Sequence, residues 1–106
     1  MTLAELNTAL RATGYPVAYS HFKSEVTPPY IAYLFAYSSD LIADNTNFLE
    51  IGNFQVELYT EIKDLTAEGK VQTVLKNLDL PYSKSETFID DEKLFQIIYE
   101  IQLIGA

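Results

Sequence analysis

The sequence predicts an α+β domain in the order α-β-β-β-α-β-β, a mostly antiparallel sheet with two helices packed on one face. Three observations carry this reading. Through Phe54-Gln55-Val56-Glu57-Leu58 apolar and polar residues alternate strictly, the period of a strand with one buried and one wet face. Two stretches carry apolar residues at helical spacing instead: Leu3, Leu6 and Leu10, then Val71, Val74, Leu75 and Leu78. The chain closes on two strand-like runs around Asp90-Asp91-Glu92-Lys93, which reads as an antiparallel hairpin with a defined register.

The first helix is expected over about residues 2–13. Thr2-Leu3-Ala4-Glu5 has the form of a capping box, with Thr2 as N-cap and Glu5 at the third helical position. Gly14 supplies a C-terminal stop and Pro16 cannot continue the helix. Residues 15–19 read as a short extended segment. Residues 20–29 are polar, and their two prolines disfavour a place in a hydrogen-bonded ladder.

Tyr30-Ile31-Ala32-Tyr33-Leu34-Phe35-Ala36-Tyr37 has no charge, no glycine and high β-propensity. Both of its faces are apolar, so it is either a central strand or a strand with one face covered by another subunit. The stretch that follows, around residues 38–53, is long for a connection inside a small domain. Ser38-Ser39-Asp40 and Asp44-Asn45 are turn-forming clusters separated by Leu41-Ile42-Ala43. A hairpin arm is expected here, with Phe48-Leu49-Glu50-Ile51 resuming the strand and Gly52-Asn53 as a bulge or break before Phe54. It is either a long hairpin with a floppy tip or, because Leu41 and Ile42 are apolar in an otherwise polar loop, an arm that reaches a neighbour or lines an opening.

The second helix is expected from Asp64 or Thr66 as cap to about Asp79, weakened by Gly69 and ended by Pro81. The final strand places Phe95, Ile97, Tyr99, Ile101 and Leu103 on one face. Gln96, Glu100 and Gln102 fall on the other, interrupted by Ile98.

At 106 residues, with 48% apolar and 13% aromatic residues, the chain reads as one globular domain over 1–106. It has no cysteine, which excludes disulfides and thiolate metal sites, and its one histidine, His21, excludes the usual two-histidine zinc arrangements. With 7 basic and 15 acidic residues the net charge is −8, so a basic nucleic-acid footprint is absent. The N-terminal stretch reads as neither signal peptide nor anchor, and no segment reaches the roughly 20 apolar residues of a membrane span. A protein of the cytoplasm, without a membrane partner, is expected.

No catalytic motif emerges. Asp90-Asp91-Glu92 is the densest acidic cluster, but it lacks the spaced oxygen ligands and the glycine of a calcium loop and reads as a solvated turn. The four glycines are scattered, so no loop cradles phosphate, and no elbow motif supports a nucleophile beside His21. His21 is best explained by local hydrogen bonding. No catalytic residue, cofactor or metal ligand is assigned, and the chain is not expected to be an enzyme. A small enzyme or ligand-binding domain is the rival reading, and it would need a deep pocket lined by His21 and two acids. Eight tyrosines and six phenylalanines without tryptophan are the more informative feature. Tyrosine suits surfaces that are half buried, as at interfaces. Tyr30, Tyr33, Phe35 and Tyr37 of the apolar strand, with Leu41 and Ile42 of the arm, are the candidates for a subunit interface.

The opening Met1-Thr2-Leu3-Ala4-Glu5-Leu6, the run Gly14-Tyr15-Pro16-Val17-Ala18-Tyr19 and the stretch Pro28-Pro29-Tyr30-Ile31-Ala32-Tyr33-Leu34 resemble small structural proteins of long-tailed phages and prophages of Gram-positive bacteria. Ala43-Asp44-Asn45, Val56-Glu57-Leu58-Tyr59-Thr60 with Lys63-Asp64, and Ile98-Tyr99-Glu100-Ile101 extend the similarity over nearly the whole chain. Within that group the order of elements is similar to the tail-terminator, or tail-completion, proteins, with head–tail connector (head-closure) subunits related in fold. The resemblance implies a homo-oligomeric ring, commonly a hexamer, that caps the tail tube, stops its polymerisation and docks to the head connector. Its partners would be itself, the tail tube protein and the head connector protein, with DNA passing through unbound. It implies no cofactor and a place in the virion tail after assembly in the bacterial cytoplasm. On this reading Asp40, Asp44 and Glu50 are candidates for the lumen or the docking rim, where acidic side chains would repel DNA.

Overall fold

The structure, a computed structural model, describes residues 1–105 and has the expected α+β architecture. Helix α1 (Leu3–Arg11) starts as its sequence dictates: Thr2 Oγ1 accepts from the Glu5 N–H at 3.1 Å, and Glu5 Oε1 accepts from the Thr2 N–H at 3.1 Å. The helix is shorter than the expected 2–13 because Thr13 turns back on it, its hydroxyl donating to the Leu10 carbonyl at 2.7 Å. Gly14 then adopts φ +88°, which a side chain would disfavour.

Strands β1 (Val17–Tyr19), β2 (Tyr30–Ser38), β5 (Ile51–Thr60), β6 (Ser83–Ile89) and β7 (Leu94–Ile104) make a five-stranded sheet in the order β1-β2-β5-β7-β6. Strands β3 (Leu41–Ala43) and β4 (Thr46–Leu49) form a separate two-stranded sheet. The pair β1–β2 is parallel and every other pair is antiparallel. A parallel neighbour needs a crossover, and residues 20–29 supply it as an irregular loop. The long apolar run is therefore an inner strand, flanked by β1 and β5.

Helix α2 (Leu65–Asn77) is capped by Asp64, whose carboxylate accepts from the Ala67 N–H at 3.0 Å. Both helices lie on the same face. Leu6 and Leu10 of α1 and Ala67, Val71 and Leu75 of α2 pack on Ile31, Tyr33, Phe54, Val56, Leu58, Ile97, Tyr99, Ile101 and Leu103. Register explains the selection: Ile31 pairs with Leu58 and Tyr33 with Val56, while Val56 pairs in turn with Tyr99 and Leu58 with Ile97. One parity of three strands thus makes a continuous apolar floor.

The expected irregularity at Gly52-Asn53 lies on the partner strand instead. β5 runs unbroken through Gly52, and β2 takes the register shift between Phe35 and Tyr37. Gly52 is there for packing: a Cβ on it would lie 2.7 Å from the Phe54 ring. At the far edge Glu68 of α2 is buried, and its two carboxylate oxygens meet Lys63 at 2.7 Å and Lys84 at 2.6 Å and no other donor. Burial pushes this carboxyl up, but the two ammonium groups outweigh it and hold it below its ordinary range. No helix among the described residues is long and apolar enough to cross a membrane.

Candidate assembly surface

The arm is built by its turn. Asp44 and Asn45 take φ of +52° and +61°, so the two-residue connection between Ala43 and Thr46 has the left-handed geometry of a type I′ hairpin, for which Asp and Asn are suited. At the base, Asp40 accepts from the Ile51 N–H at 2.8 Å and from Asn47 Nδ2 at 2.7 Å. Those two hydrogen bonds hold its carboxyl below the ordinary value. The Ser39 N–H donates to the Ile51 carbonyl at 2.9 Å, and Asn53 Nδ2 donates to Ser39 Oγ at 2.8 Å.

Nothing comparable supports the tip. Leu41, Ile42 and Phe48 are 53%, 72% and 74% exposed. A two-stranded hairpin is marginally stable in water without an apolar face to bury, and this one displays its apolar residues to solvent. The arm also makes the molecule long, 49 × 28 × 25 Å, with a radius of gyration of 14.7 Å. A compact chain of this length would have one of about 13 Å.

Beside the arm the sheet has an open edge. β1 ends at Tyr19, opposite Tyr33, and the Tyr19 hydroxyl accepts from the Phe35 N–H at 3.1 Å. Beyond that point no strand among the described residues flanks β2 on this side. Phe35 and Tyr37, 47% and 61% exposed, sit on this bare length. Unprotected edges of this kind are templates for pairing with another chain.

Four of the six interface candidates, Phe35, Tyr37, Leu41 and Ile42, are therefore exposed at one end of the molecule. Of the other two, Tyr33 is corrected and Tyr30 is covered only in part within the chain. Tyr33 is a core residue, and its hydroxyl accepts from Asn7 Nδ2 at 2.9 Å. Tyr30 is half-buried, stacked on Tyr59 with ring centroids 4.9 Å apart and touched edge-on by Phe22. Of the acidic candidates, Asp40 and Glu50 flank the base of the arm and Asp44 sits in its turn. Asp40 is engaged within the chain, which leaves Asp44 and Glu50 as outward charges. Phe48, which the sequence places only at the start of a strand, joins these exposed apolar residues of the arm. Two polar neighbours, Thr46 and Asn47, were the signal that this strand has no buried face.

The opposite end of β2 opens into a cleft of about 1060 Å³ between the 20–29 loop, the end of β5 and the 90–93 turn. His21 lines it together with Glu25, Glu61 and Glu92. The imidazole is exposed, and its ring contact is with Ser20 Oγ at 3.3 Å, so no carboxylate orients it. The floor carries a polar network: Tyr59 donates to Glu57 at 2.9 Å and accepts from Gln96 Nε2 at 2.9 Å. Burial, reinforced by the Glu57 carboxylate, pushes the Tyr59 phenol well above its ordinary value. Tyr59 and Gln96 thereby hold Glu57, a buried carboxylate on the face away from the helices. The cleft thus gathers His21 with three acids, the lining that the enzyme or ligand-binding reading asks for, with no hydrogen bond between the imidazole and a carboxylate among the described residues.

Neither the protein-family models nor the curated proteins compared with this chain give a match.

Proposed function

We propose that this chain is a structural assembly protein of the tail-terminator type from long-tailed phages or prophages of Gram-positive bacteria. It would act without catalysis, forming a ring that caps the tail tube, stops its polymerisation and docks to the head connector. The observation that carries the reading is the arm, an anchored hairpin that exposes Leu41, Ile42 and Phe48 beside the bare edge at Phe35 and Tyr37. Such a surface is unfavourable on an isolated chain and is explained if a neighbour covers it. The resemblance of the opening residues, the 28–34 stretch and the 56–60 strand supplies the biological setting. The net charge of −8 suits a wall past which DNA moves without sticking.

The test is to add the purified protein to polymerising tail tube protein encoded beside it in the same genome. Short tubes with the protein at one end are expected. Tubes of unchanged length that leave the protein in the supernatant would overturn the assignment, and selective binding to the portal-side adaptor would move it to a head–tail connector subunit.

A further inference from the structure

We propose that two copies of this chain join along strand β6, edge to edge and antiparallel, about a two-fold axis at Ser85. The inference goes beyond the ring reading and does not rest on it. β6 borders the sheet on the side away from β1 and β2, and the arm leaves from the end of β2.

β6 is an open edge. It pairs with β7 on one side, and no strand among the described residues flanks it on the other. Ser83 to Phe88 are all exposed. Register with β7 sorts the side chains. Lys84 and Glu86 lie opposite Tyr99 and Ile97, on the face that carries the helices, and Ser83, Ser85 and Thr87 fall on the other. Such a row of unpaired backbone groups invites another strand.

The sequence of β6 says which strand fits. Tyr82-Ser83-Lys84-Ser85-Glu86-Thr87-Phe88 has an aromatic ring at each end, then a hydroxyl, then a charge, with Ser85 at the centre and the two charges of opposite sign. An antiparallel copy centred on Ser85 therefore sets Lys84 opposite Glu86, Ser83 opposite Thr87 and Tyr82 opposite Phe88, each pair twice. Opposite charges, paired hydroxyls and paired aromatics are the cross-strand neighbours that stabilise a sheet. A two-fold axis normal to the sheet keeps every side chain on its own face, so the next registers are centred on Lys84 or on Glu86. The first sets lysine against lysine and the second glutamate against glutamate, and both are destabilising. Charges on an edge strand ordinarily discourage pairing. Here they leave one register open.

The new pairs extend a network already in the fold. Lys63 bridges Glu68 and Glu86, and Lys84 holds Glu68. The Lys84 and Glu86 side chains keep 36% and 39% exposure, so each has room for a second partner. Lys84 of one copy beside Glu86 of the other closes Lys63, Glu68, Lys84 and Glu86 of both copies into one ring of alternating charge. Phe88, 43% exposed, meets the half-buried Tyr82 of the other copy. The seam is about 23 Å long and roughly 10 Å deep, small beside the roughly 800 Å² per partner of a stable interface. A free chain makes this contact weakly, and it strengthens where assembled multimers present several edges at once.

Because the chain has no cysteine, single substitutions at the exposed hydroxyls read the register. Directly opposite residues lie about 5 Å apart, within disulfide reach. In the proposed register two copies of residue 83, or of residue 87, are offset by four steps, about 13 Å. Oxidised at high concentration, Ser85→Cys is expected to give a linked two-chain product by itself. Thr87→Cys mixed with Ser83→Cys is expected to give severalfold more product than either alone. The same results are expected in the Ile42→Ser with Phe48→Ser background, where the arm contributes nothing.

A Ser85→Cys chain that stays unlinked overturns the contact. So does a mixture of Thr87→Cys and Ser83→Cys that gives no more product than its components alone, the result of random collision. A chain that fails to cap tail tubes leaves these outcomes untouched, so the two readings fail separately.

Discussion

The Asp40 carboxylate accepts the Ile51 N–H at 2.8 Å, so the residue that enters the arm is tied to the residue that leaves it. This clasp, with Asn47 as second donor, fixes where a hairpin without a core points. Asp40→Ala is expected to speed amide exchange at Ile51 and through residues 41–49 while the amides of β5 beyond Phe54 stay protected. Measurement by hydrogen exchange decides it, and unchanged exchange in the arm would show that the clasp does not order it.

Ile42→Ser and Phe48→Ser should leave folding stability within about 0.5 kcal/mol of the parent, because both side chains are already in water. The same changes should abolish self-association. By contrast Leu58→Ala, in the middle of the apolar floor, is expected to cost about 2–5 kcal/mol. Urea unfolding curves measured beside light scattering separate the two effects.

Tyr59→Phe removes the donor to Glu57 and leaves a buried carboxylate without its hydrogen bond. A loss of about 1–3 kcal/mol is expected. The raised phenols of Tyr59 and Tyr99 have a second consequence. In the unfolded chain they ionise near pH 10, and in the folded chain they hold their protons beyond that. The unfolded state then binds fewer protons, so stability falls as pH rises above about 10. Phenolate absorbance should show two tyrosines that ionise only above the ordinary range of about 10.

Glu68 acts in the other direction. Its folded carboxyl is held below the ordinary value, so its contribution is complete above the unfolded carboxylate range and is lost as pH falls through the folded value. Glu68→Gln should flatten the acid limb of the stability profile. Its cost near neutral pH should be about 1–2 kcal/mol, less than for a fully buried pair, because both lysine partners are partly in water. Unfolding midpoints across an acid pH series test this.

The fold was legible wherever one short-range rule decided the backbone. Thr2 with Glu5 set the start of α1, Asp44-Asn45 set the hairpin turn, and the alternation from Phe54 to Leu58 set the face of β5. Illegible features depended on which strand lies beside which. Tyr33 reads as interface in a run apolar on both faces, yet register with Val56 turns it into the core. The parallel pairing of β1 with β2 and the bulge on β2 rather than at Gly52 have no local signature, because a glycine that clears room for a ring looks the same in sequence as one that bends a strand. The cleft gathers His21, Lys23, Glu61 and Lys93 from three segments, and only the folded crossover brings them together.

The arm is expected to drive self-association. Light scattering coupled to size exclusion, run over a concentration series on the parent chain and on Ile42→Ser with Phe48→Ser, tests it most directly. The parent should form a closed multimer, or grow towards one as concentration rises, while the double variant stays a folded monomer. A parent that remains monomeric throughout, or a variant that assembles as well as the parent, would contradict it.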